Sequence, residues 1–514
     1  MKKNIFTFLS ASCLLLTTSC VDLTQDPQSF LTEEEYIQYP QNLATVSKSV
    51  TGLYNNLWSE NYGFSCRLIR YNTAAGDVVP QIAKPNNDMI PLYNMNPGAG
   101  TVVKDITALW QNFWKVINGA NKIINGTPIP SGDDAPKYKA VVAEANFMRA
   151  LSYFYLVRIF GDVPKVTNTE ESINSTTPRI PVAQIYEEVI LPDLEIACRD
   201  LPTTSRTGSS DTPSQWAAKA LLTDVYMTMA GWPLHKGTEY YAKAATVAQD
   251  IIEHSKLKLT DNYADLWKEA KKTEANEHMF AIHNKVGVNP SQYGNTFFPS
   301  DYYPAGWGDY FASADFMAAY PDDDRKACTF ETEWYTDKAQ TKLITWQQSA
   351  NKLPLIKKFR DYDEILKNGT ISQLSNGLTT VYRYADVLLM YAEASTLATN
   401  TVNDLAKECL KDVQLRAHVP ADRVTNTTNP QEFDKAVFAE RGWELYVEGK
   451  RWFDIIRREK AAELRPDIYN NSVYKANGHY YLPIPMTEVE MAGWTNNAGY
   501  VCNTKLLTLH IYYQ

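Results

Sequence analysis

The fold class follows from residues 138–160, which read YKAVVAEANFMRALSYFYLVRIF. Apolar side chains recur here at intervals of three and four residues, which places them along one side of an α-helix. The stripe consists of Ala143, Phe147, Ala150, Leu151, Phe154 and Val157. Gly161 and Pro164 follow directly and predict where the helix ends. The segment therefore predicts one long helix with a packed face.

The same periodicity predicts further helices of similar length along the chain. These helices cover residues 185–198, 216–230, 240–254, 384–396, 404–417, 433–447 and 452–459. Alanine is frequent at their contact positions, as in the helical hairpins of tetratricopeptide repeats, which stack into a superhelix. An irregular helical bundle is the alternative packing. Both arrangements predict an all-α fold with little β structure.

Two long stretches lack this periodicity and are rich in aromatic residues, proline and glycine. They cover residues 63–103 and 285–352. Loops of this length inside a compact protein are usually functional or disordered, and their aromatic content argues against disorder. We expect ordered, irregular ligand-binding loops. Since no stretch reads as an interdomain linker, residues 31–514 are predicted to form one folded unit.

The N-terminus indicates export and a lipid anchor. Lys2 and Lys3 precede a short apolar run over residues 5–16, and small residues lead to Cys20. This order is typical of a lipoprotein signal peptide over residues 1–19, with Cys20 as the acylated residue. Residues 20–30, polar and acidic, read as a flexible tether. Ordinary cleavage beside an incidental cysteine, or lipidation of Cys13 instead, are the alternatives.

Composition restricts the class of partner. The formal net charge is −9, and it becomes −11 once Lys2 and Lys3 are removed with the signal segment. An acidic chain without basic runs argues against binding nucleic acid or an anionic membrane. Past the signal segment, no run of apolar residues is long enough to cross a bilayer, so the lipid on Cys20 would be the only anchor.

Four segments resemble the SusD/RagB family. The first is AEANFMRA (143–150), which continues to FGDVP (160–164), and the second is RYADVLLMYAEA (383–394). The third is ERGWEL (440–445) followed by EGKRWFD (448–454), and the fourth is LPIP (482–485). They occur in the order typical of the family and span nearly the whole mature chain. The tail departs from the family pattern just before Gly499 and Tyr500.

The resemblance implies an α-helical, tetratricopeptide-like protein of the outer membrane, facing the cell exterior. It implies a partner, a SusC-like TonB-dependent transporter, to which the protein delivers an extracellular oligosaccharide or, alternatively, a peptide. It also implies an N-terminal SusD-like part over about residues 31–270 and a C-terminal SusD/RagB part over about residues 271–514. No enzymatic activity and no cofactor are expected.

Carboxylates at helical spacing raise the question of an enzyme. Glu440, Glu444 and Glu448 are four residues apart, close to one helix face, with several arginines nearby. Two such groups could serve a surface glycoside hydrolase. Like charges at this spacing are more often tolerated through arginine partners, so we interpret them as a structural charge network. No other catalytic motif in the sequence supports an enzyme.

No metal site is predicted. His278 and His283 lie in a short extended segment, five residues apart, and therefore point to opposite faces. The acidic run 322–324 lacks the alternating ligand spacing of a calcium loop and is interpreted as a helix start. The scattered cysteines contain no CxxC pair, which argues against zinc.

Aromatic residues in the second irregular stretch are the candidate ligand contacts. Aromatic faces stack on sugar C–H faces, while polar groups bond hydroxyls. The candidates there are Trp307, Tyr303, Tyr302, Tyr293 and Trp334, and the facing wall over residues 63–100 offers Tyr93 and Asp77. Each ring could instead pack the loop onto the helices. A scaffold that binds only proteins is a third functional hypothesis, and it would use a helical groove rather than these loops.

Overall fold

A computed structural model describes residues 42–58, 63–83, 89–96, 103–169, 171, 173–272, 276–359, 373–477 and 480–500. The predicted signal segment, the tether and Cys20 lie outside this part of the chain. The longer helices are α1 (Leu43–Trp58), α2 (Gly63–Asn72), α3 (Val103–Gly126), α4 (Ala135–Phe160), α5 (Leu191–Asp200), α6 (Gln215–Ala230), α7 (Thr238–His254), α8 (Tyr384–Thr399), α9 (Asp404–Arg416) and α10 (Pro430–Glu444).

The long helices stack mainly on their neighbours in the chain. Helix α3 packs against α1 and α4, then α4 against α5, α5 against α6, α6 against α7, α7 against α8, and α8 against α9 and α10. Stacking of each hairpin on the next is the arrangement of helical repeat proteins. The prediction of an all-α, tetratricopeptide-like scaffold is confirmed.

Helix α4 is more deeply buried than the sequence predicted. Its side chains are buried on nearly all sides from Val141 onwards, not along one stripe. The reason is that α1, α3 and α5 all pack around it. The charged residues that this burial traps are paired: Glu144 contacts Arg206 at 2.9 Å and Arg149 contacts Asp193 at 2.7 Å. Such pairing is what makes buried charges tolerable.

Several helices begin or end at residues other than those predicted, and the backbone conformation or residue type at each end gives the reason. Helix α10 ends at Glu444, not at residue 447, and Val447 and Gly449 have positive φ angles of 62° and 74°. The predicted helix 185–198 begins earlier, with Val182–Ile185 and a π-turn at Tyr186–Ile190 leading into α5. Pro192, in the first turn of α5, has no N–H to continue the regular ladder.

Short elements fill the irregular stretches. The prediction that residues 63–103 form only a loop was wrong, since α2 lies there. The short helical segments are Thr73–Ala75, Ile90–Tyr93, Val182–Ile185, Tyr263–Trp267, Glu269–Lys271, Tyr293–Phe297, Ala314–Ala319, Asp324–Thr329, Trp346–Gln348, Arg451–Arg457, Ala461–Leu464, Pro466–Tyr469, Ser472–Asn477 and Met486–Ala492. None of the described helices combines the length and the apolar character needed to cross a bilayer.

The β structure consists of short antiparallel pairs. The strands are β1 (Val78–Pro80), β2 (Val163–Pro164), β3 (Arg179–Ile180), β4 (His278–His283), β5 (Tyr310–Ala312), β6 (Phe330–Glu331), β7 (Glu333–Tyr335), β8 (Leu343–Thr345), β9 (Leu355–Ile356) and β10 (Leu378–Arg383). They pair as β1–β5, β2–β3, β4–β10, β6–β9 and β7–β8. The β1–β5 pair joins the first irregular stretch to the second, with Val78 opposite Ala312. The two stretches therefore lie side by side.

Candidate ligand-binding surface

The second irregular stretch is folded tightly on itself around Trp307. The amides of Trp307 and Gly308 both donate to the Asn295 carbonyl, at 2.7 and 3.2 Å. A Cβ on Gly306 would lie 2.2 Å from the Phe298 carbonyl oxygen. Gly308 has a φ of +61°, and a Cβ there would lie 2.7 Å from the Cα of Pro299. Both glycines are thus needed for close backbone packing, which holds the segment that carries Trp307.

Three of the predicted aromatic contacts are buried and pack the loop. Tyr293 stacks on Phe359 with 4.3 Å between ring centroids, and Tyr302 stacks on Trp334 at 6.2 Å. All three candidates belong to a second hydrophobic core beneath the loop. Their burial leaves Tyr293, Tyr302 and Trp334 no free face for a ligand in this structure. For these rings the packing interpretation replaces the contact interpretation.

We call aromatic rim the set of exposed or half-buried apolar side chains that adjoining segments of the irregular stretches carry, namely Ile82, Tyr303, Trp307, Tyr335 and Leu343. Trp307 is 44% exposed, Tyr335 38%, Leu343 50% and Ile82 60%. Tyr303 is half-buried. Hydrogen bonds join the segments that carry these residues. The amide of Tyr303 donates to the Tyr335 carbonyl at 3.2 Å, and the amide of Gln81 donates to the Asp309 carbonyl at 3.0 Å.

The hairpin β7–β8 decides which of two adjacent aromatic residues is exposed. Trp334 lies opposite Ile344 and Tyr335 lies opposite Leu343. Successive side chains of a strand point to opposite faces, so burial of Trp334 leaves Tyr335 and Leu343 outside. Trp334 was predicted as a ligand contact, whereas the exposed residues Tyr335, Leu343 and Ile82 were not among the predicted contacts. Alternation along the strand shows that Trp334 and Tyr335 lie on opposite faces. It identifies the exposed residue once the face that packs on the core is known.

The two candidates of the facing wall do not share one environment with Trp307. Asp77 is buried, and its carbonyl accepts hydrogen bonds from the Tyr446 hydroxyl at 3.1 Å and from the Ser313 amide at 2.9 Å. Burial raises the pKa of its carboxyl to about 6. Tyr93 is half-buried beneath Arg465, whose guanidinium lies 4.5 Å from the ring centroid. In this structure Asp77 anchors the first stretch, so its proposed ligand contact is replaced by a structural one.

The candidate catalytic carboxylates belong to a buried ion network. Arg383 donates to Glu277 at 2.7 Å, to Glu444 at 2.6 Å and to Glu448 at 2.7 and 2.8 Å. Arg325 lies 2.8 Å from Glu444 and also contacts Glu440. Glu448 lies outside helix α10, and the turn after Glu444 returns it to the network. The predicted structural charge network is confirmed, although not as one helix face.

Electrostatics indicate that Glu444 and Glu448 stay charged, whereas burial raises the pKa of Glu440. Burial alone would raise the pKa of Glu444, but Arg416, Arg383 and Arg325 outweigh it and hold that pKa below its ordinary value. The pKa of Glu448 is lowered in the same way, against burial, by Arg383 and Lys358. A general acid needs a raised pKa and access to substrate. Neither condition holds for Glu444 or Glu448.

The remaining polar candidates have structural partners. His278 Nδ1 lies 2.6 Å from Thr380 Oγ1, and His283 Nε2 lies 3.0 Å from Ser210 Oγ. Asp323 accepts from the Arg325 amide at 2.9 Å and caps the helix Asp324–Thr329, as predicted. Over the described part of the chain, no group of three or more His, Cys, Asp or Glu side chains is placed to hold a metal.

The architecture defines a class of protein in which a stacked helical scaffold carries an aromatic surface on irregular loops. The profile of the SusD family matches residues 193–500, and the chain belongs to that family. A second profile, described as starch-binding associating with outer membrane, matches residues 29–227.

Similar proteins cover nearly the whole chain. SusD-like protein P2 of Formosa agariphila is 26% identical over 97% of this chain and all of its own length. A SusD superfamily protein from Parabacteroides distasonis has a TM-score of 0.75 at 26% identity, covering 92% of this chain and 100% of that one. A laminarin-binding SusD-like protein has a TM-score of 0.72 at 22% identity, over 89% and 99% of the two chains.

Proposed function

We propose that this protein binds extracellular oligosaccharides at the cell surface through the aromatic rim. The observation that carries the proposal is an indole 44% exposed on a loop whose backbone is held by paired hydrogen bonds and two sterically required glycines. Little loop entropy need be lost when a ligand stacks on a surface ordered in advance. A protein of the same fold that is described as laminarin-binding supports the carbohydrate class.

The direct test is calorimetric titration with laminarin oligosaccharides, xyloglucan oligosaccharides and maltoheptaose, together with a peptide library. We expect saturable binding of at least one oligosaccharide and, on long incubation, no shorter products. Release of shorter products would favour the hydrolase alternative. Binding of peptides alone would identify peptide as the ligand class. Absence of binding to every probe would contradict the proposal.

Anchoring is proposed to depend on Cys20, which lies outside the described residues. Acyl chains on this residue would hold the protein at the outer membrane, since more than one chain is needed for stable attachment. We expect Cys20→Ala to abolish acylation and to move the protein from the membrane fraction to the soluble fraction. Cys13→Ala is the matched control and should fractionate like wild type. Unchanged fractionation of Cys20→Ala would contradict the lipoprotein proposal.

Delivery requires a partner, which we propose is a SusC-like TonB-dependent transporter. None of the long helices α1 to α10 contributes a residue to the aromatic rim, and these helices would form much of the contact. We expect a tag on this protein to recover such a barrel in mild detergent. Recovery of no barrel, under conditions that preserve other outer-membrane complexes, would count against the proposed partner.

A further inference from the structure

The first irregular stretch leaves the β1–β5 pair beside the loop that carries Trp307. A backbone hydrogen bond extends this pair by one residue, from the Gln81 amide to the Asp309 carbonyl, at 3.0 Å. Ile82 follows Gln81 directly, and Trp307 precedes Asp309 by two residues. The Ile82 side chain is 60% exposed and that of Trp307 is 44% exposed. Two exposed apolar groups, far apart in sequence, therefore come from positions next to one hydrogen bond.

The side chain of Asn351, at the end of the second irregular stretch, holds the residues beyond that bond. Its Oδ1 accepts hydrogen bonds from the amides of Ile82 and Ala83, at 2.8 and 2.9 Å. We call these two bonds the Asn351 clamp. The turn that carries Asn351 is itself fixed, because the hydroxyl of the buried Ser349 donates to the Trp346 carbonyl at 2.7 Å. The clamp therefore joins the first stretch to an ordered part of the second.

The clamp acts on exposed residues, which limits what it contributes to stability. Ile82 and Ala83 are both exposed, so water could accept the same hydrogen bonds from their amides. A hydrogen bond that water can replace adds only modestly to net stability, but it fixes the backbone that it joins. An apolar side chain on a fixed backbone loses less conformational entropy when a ligand packs on it. The clamp therefore acts mainly on the position of Ile82.

We propose that Asn351 is a positioning residue that presents Ile82 to the same oligosaccharide that stacks on Trp307, so that the rim selects ligands long enough to contact both. The inference rests on the proposed function and adds to it a dependence on ligand length. A short saccharide stacked on Trp307 alone does not need the clamp. A longer one that also packs C–H groups on Ile82 does, because the clamp sets where Ile82 lies.

The test compares wild type with Asn351→Leu, which removes the accepting oxygen at a similar volume. The long probes are maltoheptaose, laminariheptaose and a xyloglucan heptasaccharide, and the short probes are maltose, laminaribiose and cellobiose, all titrated by calorimetry. We expect Asn351→Leu to weaken binding of a long probe by about tenfold, the equivalent of ordering the backbone of one residue. The short probes should bind both proteins equally, weakly or not at all. Asn351→Asp keeps an oxygen that accepts both amides and should bind like wild type.

Two further variants show whether the effect runs through Ile82. In an Ile82→Ala background, Asn351→Leu should weaken binding of the long probe little further, because the side chain that the clamp positions is already truncated. Asn429→Leu is the matched control. The Asn429 oxygen also accepts two backbone amides, those of Gln431 and Glu432, both at 3.0 Å, but it does so at the start of α10, outside the rim. Its loss should lower the thermal melt and leave affinity unchanged.

The outcomes separate this inference from the proposed function. If wild type binds none of the probes, both are overturned. If wild type binds a long probe and folded Asn351→Leu binds it equally well, only the positioning role is overturned. The same holds if the loss also affects the short probes, persists in full in the Ile82→Ala background, or is shared by Asn351→Asp. Asn351→Ala takes the place of Asn351→Leu if the leucine variant does not fold, with the same expectations.

Discussion

Trp307→Ala is expected to weaken oligosaccharide binding by about ten- to a hundredfold. Replacing a stacking ring costs on the order of 1–3 kcal/mol, by analogy with aromatic platforms under nucleic-acid bases. The thermal melt should change little, because nearly half of the side chain is exposed and the backbone of the loop is held by hydrogen bonds of Asn295 and the neighbouring glycines. Calorimetry with the oligosaccharide that binds wild type measures the first effect, and a thermal melt measures the second.

Tyr469→Ala is the matched control for this change. Tyr469 is 39% exposed and lies in the segment Pro466–Tyr469, outside the rim, so its replacement should leave affinity unchanged. Tyr335→Ala should weaken binding if the ligand extends along the rim. Retained binding with a lowered melt in Trp307→Ala would show that the indole packs the loop, and the site would then have to be sought elsewhere.

Arg383→Met is expected to lower the free energy of unfolding by about 3–5 kcal/mol, the usual cost of leaving buried charges without their partner. Arg383 is fully buried and contacts three carboxylates, those of Glu277, Glu444 and Glu448. Methionine supplies similar volume but no donors. Urea denaturation at neutral pH measures the loss. Arg383→Lys keeps the charge without the guanidinium fork. Its free energy of unfolding should lie between those of wild type and Arg383→Met.

The effect of Arg383→Met should depend on pH in a defined direction. Arg383 helps to hold the pKa of Glu444 and Glu448 below the ordinary value of 4.5. A lowered pKa stabilises the folded state above that ordinary value, and the stabilisation is lost as pH falls. The difference between wild type and variant should therefore be complete above about pH 4.5 and shrink at lower pH.

Lys137→Ala provides the contrast to this buried site. Lys137 pairs with Asp134 at 2.8 Å on an exposed helix start, where both side chains are more than half exposed. Exposed pairs of this kind often contribute nothing measurable, so no change in the urea midpoint is expected. If Lys137→Ala and Arg383→Met lowered the free energy of unfolding equally, the buried network would not contribute more to stability than the exposed pair, which would contradict the prediction.

Much of the fold could be predicted because helices depend on local spacing. The predicted helix at residues 216–230 corresponds to α6, which is capped by Ser214 through a hydrogen bond from the Ala217 amide. The ends were less predictable. Helix α10 stops at Glu444 because Val447 and Gly449 take positive φ angles, and this turn brings Glu448 to Arg383. Arg383, the partner that makes this turn favourable, is distant in sequence, so local spacing could not predict the turn.

The candidate surface was only partly predictable for a related reason. Residue types located the loop and Trp307, since aromatic residues between glycines and prolines cannot form a single buried stripe. They could not say which rings fill the second core. Tyr293 is buried there because Phe359, which is distant in sequence, stacks on it. Tyr302 and Trp334 are buried because they stack on each other across about thirty residues of chain.

The sequence by itself determined the helical class, the family resemblance and the pairing of acidic with basic residues, because helical spacing and charge balance can be recognised within short segments. Tertiary structure alone decided that Tyr335 rather than Trp334 is exposed and that the buried Asp77 anchors the first irregular stretch. A side chain is exposed or buried according to which segments, distant in sequence, pack on it. The residues of a short segment do not determine that packing.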